Sequence, residues 1–174
     1  MKAIKIILGI ITVLVLAFFV TGLVVKETKY TATVSVNKPV EEVFDAFIKI
    51  DSVKNWIPEV QSVTTINKNP GITGSIYDVV VLTQGQEIKM TEKIMAYVPN
   101  EKVTLFFDAE NMLKKDDYIF TDENNTTTIT LSASCKSDSY IMACLFPYFK
   151  STFQEQDQSY LNNFKKYIEE EKNQ

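Results

Sequence analysis

The sequence contains neither histidine nor arginine, so its 18 basic residues are all lysines. Without histidine, Ser-His-Asp or Cys-His catalysis and His-ligated zinc sites are excluded. Without arginine there is no bidentate guanidinium clamp for phosphate or guanine. Only five glycines are scattered along the chain, so neither a Walker loop nor a dinucleotide-binding fingerprint can be formed. With a net charge of −4, the chain also lacks the basic footprint of a nucleic-acid binder, and we expect no nucleic-acid partner and no cofactor.

The length and composition predict one folded domain. A chain of 174 residues with 45% hydrophobic side chains is long enough for a single core and too apolar for extended disorder. The two cysteines, Cys135 and Cys144, lie nine residues apart. An extracytoplasmic location would permit a disulfide between them, but their predicted positions in a strand and an apolar helix favour two buried free thiols.

The N-terminal part of the chain is a predicted membrane anchor. Ile6–Val25 is a run of 20 residues without a charge, which as a helix would be about 30 Å long, the thickness of the hydrocarbon core of a bilayer. A cleaved signal peptide would have a shorter apolar core and small residues at its cleavage site, and a buried core helix would carry polar residues on one side. We therefore expect an anchor over residues 1–29 and a folded domain over residues 30–174.

The flanking charges give an orientation and a charge for the rest of the chain. Lys2 and Lys5 precede the apolar run, and Lys26, Glu27 and Lys29 follow it. The larger net positive charge before the run favours a cytoplasmic N-terminus and a domain on the other side of the membrane. Because two of the lysines precede the run, the remainder has 16 lysines against 22 acidic residues, a net charge of −6. Such a domain would not adhere to anionic lipid by its charge, so its contact with the membrane would be the tether.

The first part of the domain is predicted to be a strand followed by two short helices. Tyr30–Val36 is rich in β-branched residues, which favours a strand. Asn37 is the expected N-cap of a helix whose apolar residues have helical spacing, and Asp51 the expected cap of a second helix ended by Pro58.

The middle of the domain is predicted to be an antiparallel meander. Short connections join its strands, and the residues Ile88, Met90, Glu92, Ile94 and Ala96 alternate along one of them, so one largely apolar face must be covered. We expect a link over residues 110–115, and solvated turn positions for Asp116-Asp117. The predicted strands are Val60–Ile66, Ser75–Leu82, Gln86–Val98, Lys102–Asp108, Asp117–Thr121 and Thr126–Cys135.

A long amphipathic C-terminal helix is the predicted cover of this face. Apolar residues recur every four positions at Ile141, Leu145, Phe149 and Phe153, and the stripe continues over residues 160–168. Pro147 should kink the helix or mark its true start, and a capping box of Ser151 with Gln154 is an alternative start.

Three stretches carry a resemblance to a known family. They are VSVNKPVEEVFDAF (Val34–Phe47), DSVKNWIPEVQSV (Asp51–Val63) and YLNNFKKYIEEE (Tyr160–Glu171). The chain resembles the START-like superfamily, also called SRPBCC or birch-pollen-allergen-like, and within it the polyketide cyclase/dehydratase-type, membrane-anchored bacterial proteins. The resemblance implies an α+β helix-grip fold: a curved antiparallel sheet of about six to seven strands, two short helices and a long C-terminal helix, here preceded by one transmembrane helix.

The resemblance also implies a cavity between the sheet and the C-terminal helix that holds an apolar molecule. The alternative is that the same side chains form an ordinary filled core, in which Trp56 would be a structural plug rather than a gate. The candidate ligand-binding residues are Trp56, Tyr77, Met90, Ile94, Phe106, Tyr118, Leu131, Phe149, Phe153, Asp157 and Tyr160.

Asp157 is the most informative of these candidates because it falls within the apolar stripe, four residues from both Phe153 and Leu161. A buried carboxylate is costly unless it is paired or protonated. It could reach the open end of the groove or meet a Lys or Tyr from the sheet. It could instead be the polar anchor of a cavity, together with Gln156 and Tyr118.

Three functions remain open from the sequence. The first is a membrane-tethered binding module, expected to be monomeric, that holds a hydrophobic or lipid-like small molecule. The second is a cyclase, dehydratase or hydrolase that uses Asp157, a Tyr or a Glu as proton carrier, although the sequence contains no paired catalytic constellation. The third is a protein-interaction domain whose core is filled.

Overall fold

The computed structural model describes residues 2–83 and 85–170, so Met1, Gln84 and residues 171–174 of the predicted anchor and domain lie outside the described residues. Two 3₁₀ helices supplement the α-helices and strands, over Ile50–Asn55 and Phe146–Phe149. The α-helices are α1 (Lys2–Val24), α2 (Val40–Phe47), α3 (Tyr140–Leu145) and α4 (Lys150–Glu170). The strands are β1 (Thr28–Val36), β2 (Val60–Asn67), β3 (Ile76–Thr83), β4 (Gln86–Val98), β5 (Lys102–Ala109), β6 (Met112–Glu123) and β7 (Thr126–Lys136).

All seven strands form one antiparallel sheet in the order β1-β7-β6-β5-β4-β3-β2. The meander from β2 to β7 follows from the short connections, and β1 adds to its last strand. α4 lies across the inner face, mainly against β1, while α2 and the first 3₁₀ helix close one end of the core. The predicted helix-grip α+β fold is therefore confirmed.

Strand β6 begins five residues earlier than predicted. The expected link over residues 110–115 is short in the structure, because Met112 already pairs with Ala109. This part of the strand was not recognised in the sequence because both of its faces carry charged residues. Lys114 and Asp116 face the interior, and Lys115 and Asp117 lie on the other face. The prediction that Asp116 is a solvated turn residue was wrong: it is 2% exposed.

The two short helices form as expected but with different caps. The N-cap of α2 is Pro39 rather than Asn37, and it makes no side-chain hydrogen bond. Instead, the Val40 amide donates to Asp122 Oδ2 at 3.2 Å, so the sheet supplies the acceptor. The second helix is a 3₁₀ helix with Lys49 rather than Asp51 at its N-cap.

The C-terminal helix is broken, as the proline indicated. Pro147 lies in the first turn of the second 3₁₀ helix, and α4 begins at Lys150. The break changes which side chains face inward: Phe146 is buried against Phe153, whereas Ile141 and Phe149 are 59% and 48% exposed. The predicted apolar stripe therefore fails before Phe153. It holds along α4, where the buried residues include Leu161, Phe164 and Ile168.

Helix α1 is 23 residues long and apolar enough to cross a membrane. Within α1 only Gly22 is buried, and it lies against α3. Cys135 and Cys144 are both buried and are not bonded to each other.

Candidate ligand-binding site

A buried polar cluster lies between the inner face of the sheet and α4. Lys114 and Asp116 come from β6, Asp157 from α4 and Tyr30 from β1. The Lys114 ammonium donates to Asp116 Oδ2 at 2.6 Å and to Asp157 Oδ1 at 3.0 Å. The Tyr30 hydroxyl donates to Asp157 Oδ2 at 2.8 Å. We call these four residues the polar cluster.

The charges of the polar cluster depend on one another. Burial alone would lower the pKa of Lys114, but the carboxylates of Asp116 and Asp157 outweigh it and raise the pKa. Burial raises the pKa of Asp116, an effect that Lys114 and, less strongly, the hydroxyl of Tyr118 partly offset. Burial and the neighbouring Asp157 carboxylate raise the pKa of Tyr30, so its hydroxyl stays protonated. One lysine thus serves two buried carboxyl groups.

Three buried polar atoms lack a hydrogen-bond partner within the described part of the chain: Asp116 Oδ1, Glu59 Oε2 and Trp56 Nε1. Each such atom costs about 1–3 kcal/mol, so it calls for an explanation. The Tyr118 hydroxyl acts on the Asp116 carboxyl group as a hydrogen-bond donor, but no hydrogen bond of normal geometry among the described residues reaches Asp116 Oδ1. A hydroxyl or amine of a bound molecule could therefore satisfy this acceptor. Glu59 lies beside Tyr160 of α4, whose pKa is raised by burial and by this carboxyl group.

Glu92 is a second ionisable group on the inner face. It lies on β4, paired with Tyr77 of β3 and Phe107 of β5, and it is partly buried. Burial and the charge of Asp116 raise its pKa to about 7. Its side chain makes no hydrogen bond or ion pair recorded among the described residues. The alternation along β4 already assigned it to the same face as Met90 and Ile94, so the sequence did contain this signal.

Most of the candidate lining residues lie on the inner side of the domain. Trp56 stacks on Phe47 with ring centroids 5.3 Å apart, and Tyr118 lies 4.8 Å from the same ring. Phe153 lies partly buried at 6.4 Å from Tyr30. The buried candidates are Trp56, Tyr77, Ile94, Tyr118, Leu131 and Asp157, and the partly buried ones are Met90, Phe153 and Tyr160.

Two candidates do not lie on this inner side. Phe106 pairs with Lys93 and Lys115 on the outer face of the sheet, and its neighbour Phe107 takes the inner position, with the Lys114 ammonium 6.0 Å from its ring. Adjacent phenylalanines leave the face undecided in the sequence, because a shift of one residue reverses it. Phe149 is exposed for the reason given above, the break at Pro147.

Asp157 follows the first of the two alternatives, since it meets a Lys and a Tyr from the sheet. Of the two suggested partners, Gln156 donates instead to the hydroxyl of Tyr160 at 2.7 Å. Tyr118 does lie beside the polar cluster, where it acts as a hydrogen-bond donor on Asp116 rather than on Asp157. Sequence reasoning missed Lys114 and Asp116. Residues 114, 116, 118 and 120 alternate along β6, and this spacing could have placed Lys114 and Asp116 on the same face as Tyr118 and Phe120. The charges of Lys114 and Asp116 made a buried position appear unfavourable.

The inner face is unevenly covered. Ile129, Leu131 and Ala133 of β7 are buried. The inner positions of β4, β5 and β6 near the polar cluster remain partly accessible to solvent; they are Met90, Glu92, Leu105, Phe107, Met112 and Lys114. Apolar and aromatic side chains dominate this region, with the ionisable groups at its floor. Such a composition is typical of a small-molecule site.

This fold and this arrangement define a START-like helix-grip protein. The family model described as "Polyketide cyclase / dehydrase and lipid transport" matches residues 27–169, so the chain belongs to that family. No match is found among curated proteins.

Solved structures share the fold at low sequence identity. The aromatase/cyclase Zhui from Streptomyces sp. R1128 has a TM-score of 0.70 at 12% identity, over 82% of this chain and 94% of that one. A START superfamily protein from Mycobacterium smegmatis has a TM-score of 0.68 at 11% identity, over 82% and 97% of the two chains. A conserved protein from Geobacillus kaustophilus has a TM-score of 0.70 at 12% identity, over 82% and 95%.

Proposed function

We propose that this protein is a membrane-tethered binding module for an apolar small molecule that carries a hydrogen-bond donor. The observation that carries the proposal is the unpaired acceptor Asp116 Oδ1, which is buried in the polar cluster beneath a partly accessible apolar surface. In a filled core this acceptor would stay unpaired, which lowers the stability of the fold, whereas a hydroxyl or amine of a ligand would donate a hydrogen bond to it.

The apolar part of the ligand would lie against the inner residues of β4 to β6. Phe107, Met90 and Leu105 are only partly buried, so a ligand can remove more of their surface from water. Each Å² of apolar surface removed from water contributes about 25 cal/mol. The polar cluster would then select among apolar molecules, because one without a donor leaves Asp116 Oδ1 unpaired.

The tether is the second part of the proposal. We assign residues 1–29 to a single-pass anchor and residues 30–174 to the binding domain. The length and apolar surface of α1 support an anchor. The lysines before and after it favour a cytoplasmic N-terminus, with the domain on the other side. A reporter fused after Gln174 tests the orientation, because activity of a cytoplasm-only reporter would contradict it.

The sole tryptophan, Trp56, offers a direct assay of ligand binding. Its ring stacks on Phe47, which contacts Tyr118 on the inner face of β6, two residues from Asp116, so it lies on the side of the polar cluster away from α3. It also lies 5.3 Å from Phe164, which is about 21 Å along α4 from Lys150. Full-length protein in detergent would be titrated with a dibrominated long-chain alcohol, and with the same alcohol without bromine. Bromine quenches tryptophan at short range, so selective quenching by the brominated alcohol would report an apolar molecule inside the domain.

The adjacent phenylalanines provide matched variants for this titration. Phe107→Ala should weaken binding of the brominated alcohol at least about tenfold, since burying a phenylalanine is worth about 1.5–3 kcal/mol. Phe106→Ala, on the outer face, should leave the binding curve unchanged. Equal quenching by the two alcohols would contradict the binding module and favour the interaction domain with a filled core.

A second candidate function is a cyclase- or dehydratase-type enzyme. Glu92 favours it, because a partly accessible carboxyl group with a pKa of about 7 can both accept and donate a proton near neutral pH. The hydrogen bond from Tyr30 to Asp157 adds a carboxyl–tyrosine pair. If this candidate is correct, turnover of a polyketide-like substrate should be lost in Glu92→Gln while alcohol binding persists.

A further inference from the structure

The end of α1 packs against the segment that precedes α4. Gly22 lies so close to α3 that an added Cβ would overlap Cys144 Sγ and come within 3.2 Å of the Tyr140 ring. The Tyr140 hydroxyl donates to the Phe19 carbonyl at 2.5 Å. A hydrogen bond of 2.9 Å joins the hydroxyls of Thr21 and Tyr148. Stacked rings support the same contact, Phe19 on Tyr140 and Phe18 on Tyr148, each pair with centroids 6.1 Å apart.

The segment Tyr140–Phe149, which we call the α3 segment, exposes an uncharged apolar surface. None of its ten residues carries a charge. Four large side chains are exposed by 44% to 60%: Tyr140, Ile141, Tyr148 and Phe149. A domain in water rarely exposes so many large apolar groups together, which indicates a contact surface.

The position of the α3 segment along α1 indicates which partner covers the apolar surface of this segment. It contacts α1 between Phe18 and Gly22, within about 9 Å of the helix end at Val24. If α1 spans the bilayer, as proposed above, with Val25 at the end of its apolar run, this level is the outer part of the acyl-chain region, about 5–10 Å from the headgroup boundary. Tyrosines are enriched at that depth, because the ring is apolar and the hydroxyl is polar.

We propose that the α3 segment is embedded in the phospholipid interface and forms a second membrane contact beside the anchor. This inference rests on the proposed tether. The segment has no charge and residues 26–174 carry a net −6, so attraction to anionic lipid cannot drive the contact. The partner is therefore the interface of a zwitterionic bilayer, bound through apolar and aromatic side chains.

This contact would place the open part of the binding region next to the bilayer. One inner row of the sheet runs in register from Glu92 through Phe107, Lys114 and Cys135 to Thr28, and Thr28 lies four residues after the end of α1. The partly accessible inner residues therefore lie at the end of the sheet that adjoins α1 and α3. An apolar ligand could pass between the bilayer and the domain with little exposure to water.

The test uses single-tryptophan variants of the full-length protein in bilayers of brominated phosphatidylcholine. In a Trp56→Phe background, Tyr148→Trp reports the α3 segment and Leu16→Trp reports α1. Val98→Trp reports an exposed position on β4, in the row of the sheet that contains Thr33 rather than Thr28. Residues in the interface lie about 5–10 Å deep, so we expect at least about a twofold loss of emission at position 148. Position 16 should be quenched as well, and position 98 should not.

The outcomes separate this inference from the tether. Quenching at position 16 without quenching at position 148 would overturn the interfacial contact and leave the anchor standing. No quenching at either position would overturn the anchor, and the interfacial contact with it. Quenching at position 98 equal to that at 148 would also contradict the proposal, because it would mean that contact with lipid is not confined to the side of the domain that adjoins α1.

Two glycines of α1 provide a matched test of the packing itself. Gly22→Ala should displace the α3 segment and reduce quenching at position 148 at least about twofold, since its Cβ overlaps Cys144 Sγ. Gly9→Ala adds the same methyl group where no atom lies within 4 Å, so quenching should not change. Equal effects of the two substitutions would show that the contact with α1 does not position the segment.

Discussion

Replacing Lys114 with methionine tests whether the polar cluster is the buried, charged unit described here. Methionine keeps the apolar stem of the side chain and removes the ammonium that joins Asp116 and Asp157. Lys114 is 15% exposed at its side chain, and its bonds of 2.6 and 3.0 Å reach carboxyl groups that are themselves buried. The substitution therefore leaves two buried carboxyl groups without their cation.

Removing one partner of a buried ion pair costs about 3–5 kcal/mol. For a domain of this size, about 2–4 °C of Tm per kcal/mol places the expected loss near 10 °C or more. Thermal unfolding of the full-length protein in detergent, followed by circular dichroism at neutral pH, measures it. The loss should shrink at acidic pH, because burial raises the pKa of Asp116 and protonation then removes the uncompensated charge.

Lys115→Met is the matched control, since Lys115 lies on the same strand but is exposed on the outer face. It should change stability by no more than about 0.5 kcal/mol. Adding Asp157→Asn to Lys114→Met should restore part of the loss by removing one of the two stranded charges. If Lys114→Met and Lys115→Met unfolded at the same temperature, the reasoning about the polar cluster would be refuted.

Two further predictions concern pH and backbone geometry. Since the pKa of Glu92 rises from 4.5 to about 7 on folding, the folded state holds the proton more tightly, and this contribution to stability is lost as pH rises through that range. As the pH is raised from 4 to 8, the free energy of unfolding of Glu92→Gln should therefore increase relative to that of wild type by up to about 3 kcal/mol, measured by denaturant unfolding. A difference that does not change with pH would contradict the raised pKa of Glu92. Gly74 has a φ of +85° and a Cβ there would lie 2.6 Å from Asn69 Nδ2, so Gly74→Ala should cost about 1–2 kcal/mol. Gly71→Ala, with no atom within 4 Å, should cost less than about 0.5 kcal/mol, and equal costs would count against strain at Gly74.

The candidate site shows where reasoning from sequence works and where it fails. The position of Asp157 within an apolar stripe follows from helical periodicity, which is a local property, and the structure does bury this carboxylate. Its partners could not be derived in the same way. Lys114 lies 43 residues away along the chain, and its strand lacks the apolar alternation that marks a buried face.

The adjacent phenylalanines of β5 illustrate the same limit. Both Phe106 and Phe107 fit a strand, and the inner one is determined only by pairing with β4 and β6. Similarly, Pro147 predicts a break in the C-terminal helix, but it does not predict that the α3 segment before the break packs against Gly22 of α1.

The sequence by itself determined the long apolar helix α1, the order of strands and helices, and the amphipathic character of α4, because each depends on the composition or periodicity of neighbouring residues. The tertiary structure decided which charged residues are buried together, which phenylalanine faces inward, and which surface of the α3 segment stays uncovered. These features depend on distances between residues remote in the chain. Such distances are set by the register and curvature of the sheet and the packing of helices on it, which no local pattern encodes.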